Sequence, residues 1–363
     1  MRLVATESVQ SGTILAKSIY NEKGQVLLNE GVELGEKMIN RLLSLGVTYL
    51  YIKDERTNDI IYKNSIPDQI RNESVQIIES TFIGIQEDSY LENAFVIEKS
   101  AKRFKEVIRL LLTEIKNNED LLSLLTDVFS YDKYTFTHSL NVTLYSLAIG
   151  MELKLSQKEL ELLGLGAILH DVGKMKIPAD ILLKPGKLSK EEFEIVKTHA
   201  EEGFQILRNV STVPLLVAHC AYQHHERLDG SGYPRGINGK EIHLFGKIIA
   251  VADVFDAVTS NRIYRRAMLP HEGLEVLYSG VESLFETHIV EAFRRSVAVY
   301  PVGITIKLSD GRTGVVSGQN IGLSDRPIVR ILEEDGISVT PYELDLSLEL
   351  SVVIAECDTT LRK

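Results

Sequence analysis

The spacing of apolar positions changes character along the chain. Up to about residue 60, short apolar stretches such as Gln25-Val26-Leu27-Leu28 and Val47 to Ile52 are punctuated by Gly12, Gly24 and Gly31, which reads as brief strands and turns. Between them, Lys37 to Leu45 has helical spacing and stops at Gly46. Residues 68–129 read as two helices. In the second, Phe95, Val96, Phe104, Val107, Ile108, Leu111, Leu112 and Ile115 recur at intervals of three and four. Such a stripe predicts core or a helix-packing dimer interface in preference to a ligand role.

From 135 to 300 the pattern predicts helix after helix: Ser139 to Ile149, Glu159 to Leu169, Lys190 to Leu207 and Val213 to His224. Ser189 followed by Lys190-Glu191-Glu192 is a helix start, with serine as N-cap and acids in the first turn. After 301 the strand signals return in Ile304-Thr305-Ile306-Lys307-Leu308, a turn at Ser309-Asp310-Gly311, and Thr313-Gly314-Val315-Val316. The predicted fold class is multidomain and mainly α, a helical bundle flanked by small β-rich N- and C-terminal units. The expected divisions are 1–62, a helical linker or dimerisation segment at 63–130, the bundle at 131–300, and 301–363.

Composition narrows the function classes. The 363 residues are 44% hydrophobic and 25% charged, a globular mixture that excludes disorder as the main theme. Forty basic against fifty-one acidic residues give a net charge of −11, which argues against DNA or RNA as partner but leaves room for a small anion in a local basic pocket. The longest apolar-or-glycine run, Leu162 to Leu169, falls far short of the roughly 20 residues that cross a bilayer, so no membrane insertion is expected. The N-terminus meets charge at Arg2 and Glu7 and lacks a signal-peptide core, and Cys220 and Cys357 form no CxxC pair. A cytoplasmic location is the expectation.

Histidine placement is the informative irregularity, because all nine fall between His138 and His288. His170-Asp171 ends an apolar helix. Neighbours on a helix point about 100° apart, so the pair can serve one metal only where the helix end bends. A carboxylate at 171 can also bridge two metals through its two oxygens. With His138, His199, His224, His225 and Asp253 the pair makes a set of five imidazoles and two carboxylates, suited to Fe, Mn, Zn or Ni and not to Mg or Ca.

The ordered motifs identify a resemblance. Tyr134-Thr135-Phe136-Thr137-His138-Ser139, His170-Asp171-Val172-Gly173-Lys174, Thr198-His199 with Gly203, the run His224-His225-Glu226-Arg227-Leu228-Asp229-Gly230-Ser231-Gly232-Tyr233-Pro234, Ala252-Asp253-Val254-Phe255-Asp256-Ala257 and Asn261-Arg262-Ile263-Tyr264-Arg265 resemble the HD-GYP phosphodiesterases, a branch of the HD superfamily of metal phosphohydrolases. The likeness covers about 131–300 and implies an all-helical catalytic bundle. It implies that His138, His170, Asp171 and Asp253 hold one metal and that Asp171, His199, His224 and His225 hold a second, with Asp171 bridging. Two divalent ions, Fe or Mn with Zn or Ni as alternatives, lower the pKa of a shared water. In this family the resulting hydroxide opens cyclic di-GMP to linear pGpG. Lys174, Arg262 and Arg265 match phosphate-contact positions, where cations stabilise charge on nonbridging oxygens. Tyr233 matches a nucleotide contact. Asp256, one turn beyond Asp253, is a candidate to orient a ligand or protonate the leaving group. Members with three metals carry glutamate four residues before the first motif histidine, and this chain has Tyr134 there, so two metals are expected.

Competing readings stay open on these residues: a cyclic di-GMP-binding signalling module with little turnover, or a phosphodiesterase for another cyclic dinucleotide such as cyclic GMP-AMP. Of the other histidines, His219 is a candidate neighbour of the ligands, while His243, His271 and His288 read as surface or packing residues. Cys220 reads as a small buried hydrophobe. Glu191-Glu192 and Glu201-Glu202 read as solvated helix faces, and Lys184 to Lys187 as a loop.

Overall fold

The computed structural model describes residues 1–20, 26–61, 66–85, 90–117, 134–184, 186–260 and 267–360. The first part holds short strands β1 (Arg2–Ala5), β2 (Thr13–Ile14), β3 (Ile19–Tyr20), β4 (Val26–Leu28), β5 (Glu33–Leu34) and β6 (Tyr49–Ile52), with helix α1 (Glu36–Ser44) before the last. They pair antiparallel as β1–β6, β2–β5 and β3–β4. Gly46, at φ +82°, supplies the left-handed turn that ends α1. The C-terminal strands β7 (Thr305–Leu308), β8 (Thr313–Gly318), β9 (Ile328–Glu334), β10 (Ile337–Asp345) and β11 (Ile354–Asp358) form one antiparallel sheet in the order β10-β9-β8-β7-β11.

The two chain ends, read separately in the sequence, share a core. Leu3 bridges Ile304, the Ala5 amide donates to Thr359 O at 2.6 Å, and Tyr51 Oη donates to Val302 O at 3.1 Å. Leu3 and Tyr51 lie in one apolar cluster with Ile304, Ile306, Val329 and Ile331. Pairings across some 300 residues leave no periodic trace, so they cannot be read from either end alone.

Helices α2 (Asp68–Ile83) and α3 (Tyr90–Asn117) lead into a bundle of α4 (Tyr134–Glu152), α5 (Gln157–Leu169), α6 (Ala179–Leu182), α7 (Lys190–Lys197), α8 (His199–Leu207), α9 (Leu215–Gln223), α10 (Leu244–Thr259), α11 (Pro270–Ser279) and α12 (Thr287–Ser296). Capping boxes fix the starts of two: Ser156 with Glu159 on α5, and Ser189 with Glu192 on α7. Phe82, Phe104, Ile108 and Leu111 from α2 and α3 are buried in the same cluster as Leu140, Leu163, Ile168, Ile249, Phe255 and Phe293. Most of the α3 stripe therefore faces the bundle, while Phe95 is 67% exposed. A Cβ on Gly166 would lie 2.4 Å from Cys220 Sγ, so the glycine lets α5 and α9 approach closely. Cys220 is buried there, and burial pushes its thiol up to about 12. Among the described residues no helix is long and apolar enough to cross a membrane.

One predicted helix, Lys190 to Leu207, divides in two at Thr198. Its hydroxyl donates to Ile195 O at 2.7 Å, drawing the chain into a turn without disturbing the apolar spacing on either side.

Candidate metal centre

Asp171 sits where a helix changes pitch. Helix α5 ends at Leu169, His170 remains helical, and Asp171 (φ −100°, ψ 7°) leaves the α region as the chain tightens into a short 3-10 turn over Val172–Lys176. This is the bend that lets adjacent residues face one site. Gly173 makes it possible, since a Cβ there would lie 2.0 Å from His199 O and 2.5 Å from the Gly203 amide nitrogen. The turn can rest on the start of α8, and so on His199, only with glycine at that position.

Around this carboxylate the ligand atoms form two groups, each within 4.8 Å: His138, His170 and Asp171, and then Asp171, His199, His224 and His225. Asp171 belongs to both, and its oxygens divide between them. Oδ2 lies 3.3 Å from His170 Nε2 and 3.5 Å from His138 Nε2, while Oδ1 lies 3.4 Å from His199 Nε2 and 3.8 Å from His224 Nε2. Asp253 on α10 spans the same gap, with Oδ1 3.0 Å from His138 Nε2 and Oδ2 3.7 Å from His225 Nδ1. The seven residues expected as ligands are thus brought together.

The hydrogen bonds behind the rings orient them. His170 Nδ1 lies 2.7 Å from Ala167 O, His199 Nδ1 2.6 Å from Val196 O, and His224 Nδ1 3.2 Å from Cys220 O. A carbonyl can only accept, so each Nδ1 carries a hydrogen; in His199 and His224, which burial keeps neutral, Nε2 therefore turns a lone pair inward. His199 and His224 then point bare nitrogens at each other across 3.3 Å. His170 Nε2 and Asp171 Oδ1 are buried without a hydrogen-bond partner. Buried polar atoms left without partners are a costly arrangement that a shared cation relieves. The donor set fits divalent transition metals.

Electrostatics separate the two groups. Burial drives His199 down to about 4, only partly offset by Asp171, and burial with neighbouring imidazoles holds His224 and His225 well below the ordinary range. These rings are neutral, as ligation requires. Burial opposes charge on His138 as well, but hydrogen bonds to Asp253 and Asp256 outweigh it and raise it to about 9. Burial works against ionised Asp171, yet His170 and Lys174 keep it well below the usual carboxylate range.

Other expected site residues take varied places. Lys174 Nζ lies 2.5 Å from Asp171 Oδ2 and its side chain reaches solvent, so it borders the centre as a cation. Tyr233 stacks on His225, with centroids 4.5 Å apart at 28°. A Cβ on Gly232 would lie 2.4 Å from the Arg227 amide nitrogen, so this loop closes on the histidine pair only with glycine. Arg262 and Arg265 lie outside the described residues. Of the two roles open to Asp256, the geometry favours orienting a ligand over protonating a leaving group: it is buried with Oδ2 2.7 Å from His138 Nδ1 and Oδ1 accepting from Asn141 Nδ2 at 2.8 Å. Both oxygens are engaged behind the ring, so Asp256 orients His138 and does not face a substrate. His219 packs against Phe204 and Tyr222, and His243 caps α10 by accepting from the Phe245 amide at 3.1 Å.

Two functional residues were not assigned a role from sequence. Asn141 supports Asp256. Glu226, buried, accepts from the amides of Arg235 and Ile237 at 2.9 and 3.1 Å and pins the loop that carries Tyr233. Its position directly after two histidines was a usable signal, because a buried acid needs several donors.

Comparison with known proteins bears on this site. The sequence profile of the HD domain matches residues 116–289. A cyclic di-GMP phosphodiesterase of Pseudomonas aeruginosa is 38% identical over 189 residues, 52% of this chain and 45% of that protein. A cyclic di-GMP phosphodiesterase of Thermotoga maritima is 36% identical over 241 residues, 65% of this chain and 64% of its own length. A 3′3′-cGAMP-specific phosphodiesterase of Vibrio cholerae is 39% identical over 168 residues, 46% of this chain and 36% of that one. The chain spans less than two thirds of each of these relatives.

Proposed function

We propose, from the match of residues 116–289 to the HD domain profile, that the chain is a metal-dependent phosphodiesterase of that family that opens cyclic di-GMP to linear pGpG. The observation that carries this reading is the division of Asp171, with one oxygen facing His138 and His170 and the other facing His199 and His224. In this reading His138, His170, Asp171 and Asp253 hold one divalent ion and Asp171, His199, His224 and His225 a second, with Fe or Mn favoured over Zn or Ni. Bound ions would supply Lewis acidity toward water and phosphate oxygens near neutral pH. The chain's own groups do the rest. Lys174, with Arg262 and Arg265, neutralises the phosphate, and Tyr233 on its stacked base of His225 lines the nucleotide's path. Water adds to phosphorus, the bond to the 3′ oxygen breaks, and that oxygen takes up a proton.

Tyr134 at the position of the third-metal glutamate supports two ions per chain, with pGpG accumulating before any GMP. The 39% identity to a cGAMP-specific enzyme favours cyclic GMP-AMP as the second substrate to try. The chain ends and the helices before α4 are read as accessory units of a cytoplasmic enzyme, with Phe95 on the outer side of α3 as part of a homodimer contact.

Incubating the Mn2+-loaded protein with cyclic di-GMP, and separately with cyclic GMP-AMP, tests the reading by chromatography of the products. Appearance of pGpG ahead of GMP is expected. No cleavage of either dinucleotide would overturn it, and cleavage of cyclic GMP-AMP alone would replace the substrate.

A further inference from the structure

We infer that Arg71, on the helix that precedes the catalytic bundle, is a positioning residue for the metal centre. It acts through a buried relay, Arg71–Asn141–Asp256–His138. Arg71 Nη2 donates to Asn141 Oδ1 at 3.1 Å, Asn141 Nδ2 donates to Asp256 Oδ1 at 2.8 Å, and His138 Nδ1 lies 2.7 Å from Asp256 Oδ2. All four side chains are buried, Arg71 at 7% exposure being the most accessible.

The chemistry of the partners gives the relay one direction. Guanidinium only donates, so Asn141 must turn its oxygen to Arg71 and its NH2 to Asp256. The carboxylate only accepts, so it takes one proton donor from Asn141 and one from His138. Nδ1 of His138 therefore carries a hydrogen, and Nε2 is left to face Asp253 at 3.0 Å and Asp171 at 3.5 Å. Without the guanidinium the asparagine amide loses the group that fixes its orientation, and a flipped amide would set oxygen against carboxylate. Asp256 would then lose a donor in a buried place, and the ring it holds would lose its anchor.

Arg71 lies on α2, which packs on α4 and on the turn Val172–Lys176 that follows Asp171. The segment before the bundle is thereby part of the frame that aims a metal ligand. The consequence is selective, because the relay reaches His138, whereas His199 and His224 are anchored by carbonyls of α7 and α9.

The inference rests on the metal-centre part of the proposed function and not on the identity of the substrate. The test is a Co2+ titration of the metal-free full chain, followed by the visible absorption of the bound ion. Arg71→Met should weaken one class of Co2+ site by about tenfold to a hundredfold and alter its spectrum, leaving the other class unchanged. Arg71→Lys should retain most of the affinity, and Ser74→Ala, one turn along α2, should change neither class. Should Arg71→Met fail to fold, Asn141→Ser interrupts the same relay from α4 and carries the same expectation. Equal weakening of both classes would reduce Arg71 to general packing and overturn the inference, as would unchanged binding. Failure of the parent chain to bind Co2+ would overturn the metal centre itself. Normal Co2+ binding without hydrolysis of cyclic di-GMP would overturn only the substrate reading.

Discussion

On one side of Asp171, His199 and His224 are held by carbonyls only three and four residues back in the chain. On the other side, His138 is held by a carboxylate 118 residues away on another helix. The first arrangement is local, since a ring at a helix end bonds the turn beneath it and turns its free nitrogen outward. The second needs α4 and α10 packed in register, with Asn141 beside them. Charge follows the same division. The local side presents imidazoles that burial keeps neutral, while burial on the far side is outweighed by two acids that raise His138 to about 9. One half of the centre is ready for metal as folded, and the other must release a proton to receive it.

The largest expected effect on the fold of the site comes from the glycine that seats the turn after Asp171 on α8. Gly173→Ala would place a Cβ 2.0 Å from His199 O, so the turn must lift from α8. Overpacking of this kind costs about 1–3 kcal/mol or more, and thermal unfolding should show it together with loss of metal from both classes of site. An unchanged melting temperature would mean that the turn gives way freely.

Single-ligand changes should split the halves. His224→Ala should empty the local half and spare much of the other, and His138→Ala should do the reverse, as measured by metal content and Co2+ affinity. Equal losses in both variants would erase the distinction. Lys174→Ala should lower kcat/KM by about a hundredfold through loss of charge stabilisation, with both metals retained. Loss of metal in that variant would show that the lysine supports Asp171 more than it serves phosphate.

The most discriminating effect is that of pH. A proton on His138 competes with metal, so affinity at that half should rise with pH up to about 9, approaching tenfold per unit. His199, lowered to about 4 by burial, is neutral throughout, so its half should show a flat response between pH 6.5 and 8.5. Co2+ titrations at those two values measure the difference, and parallel slopes would contradict it.

The same division explains what could be read in the chain. Helical spacing revealed the bundle, and the residues that gather around Asp171 were legible because they fall in short motifs, with His170 beside Asp171 and His224 beside His225. The bend at Asp171 was expected as a requirement, and the close approach that allows it became visible only in the packing of Gly173. For Asp256 the spacing from Asp253 leaves two roles open, because it does not tell which way the carboxylate faces, and only the packing turns it to His138. Thr198 broke a helix without breaking its apolar period. The shared core of Leu3, Tyr51 and Ile304 depends on contacts between chain ends, which no local pattern records.

In the proposed reading one carboxylate, Asp171, serves two metal sites. Elemental analysis of the parent chain and of Asp171→Ala, each loaded with Mn2+ and assayed with cyclic di-GMP, tests it most directly. Two ions per parent chain with pGpG as product are expected, and in the variant the loss of both ions together with all measurable turnover. An Asp171→Ala protein that keeps two ions, or that still produces pGpG near the parent rate, would contradict it.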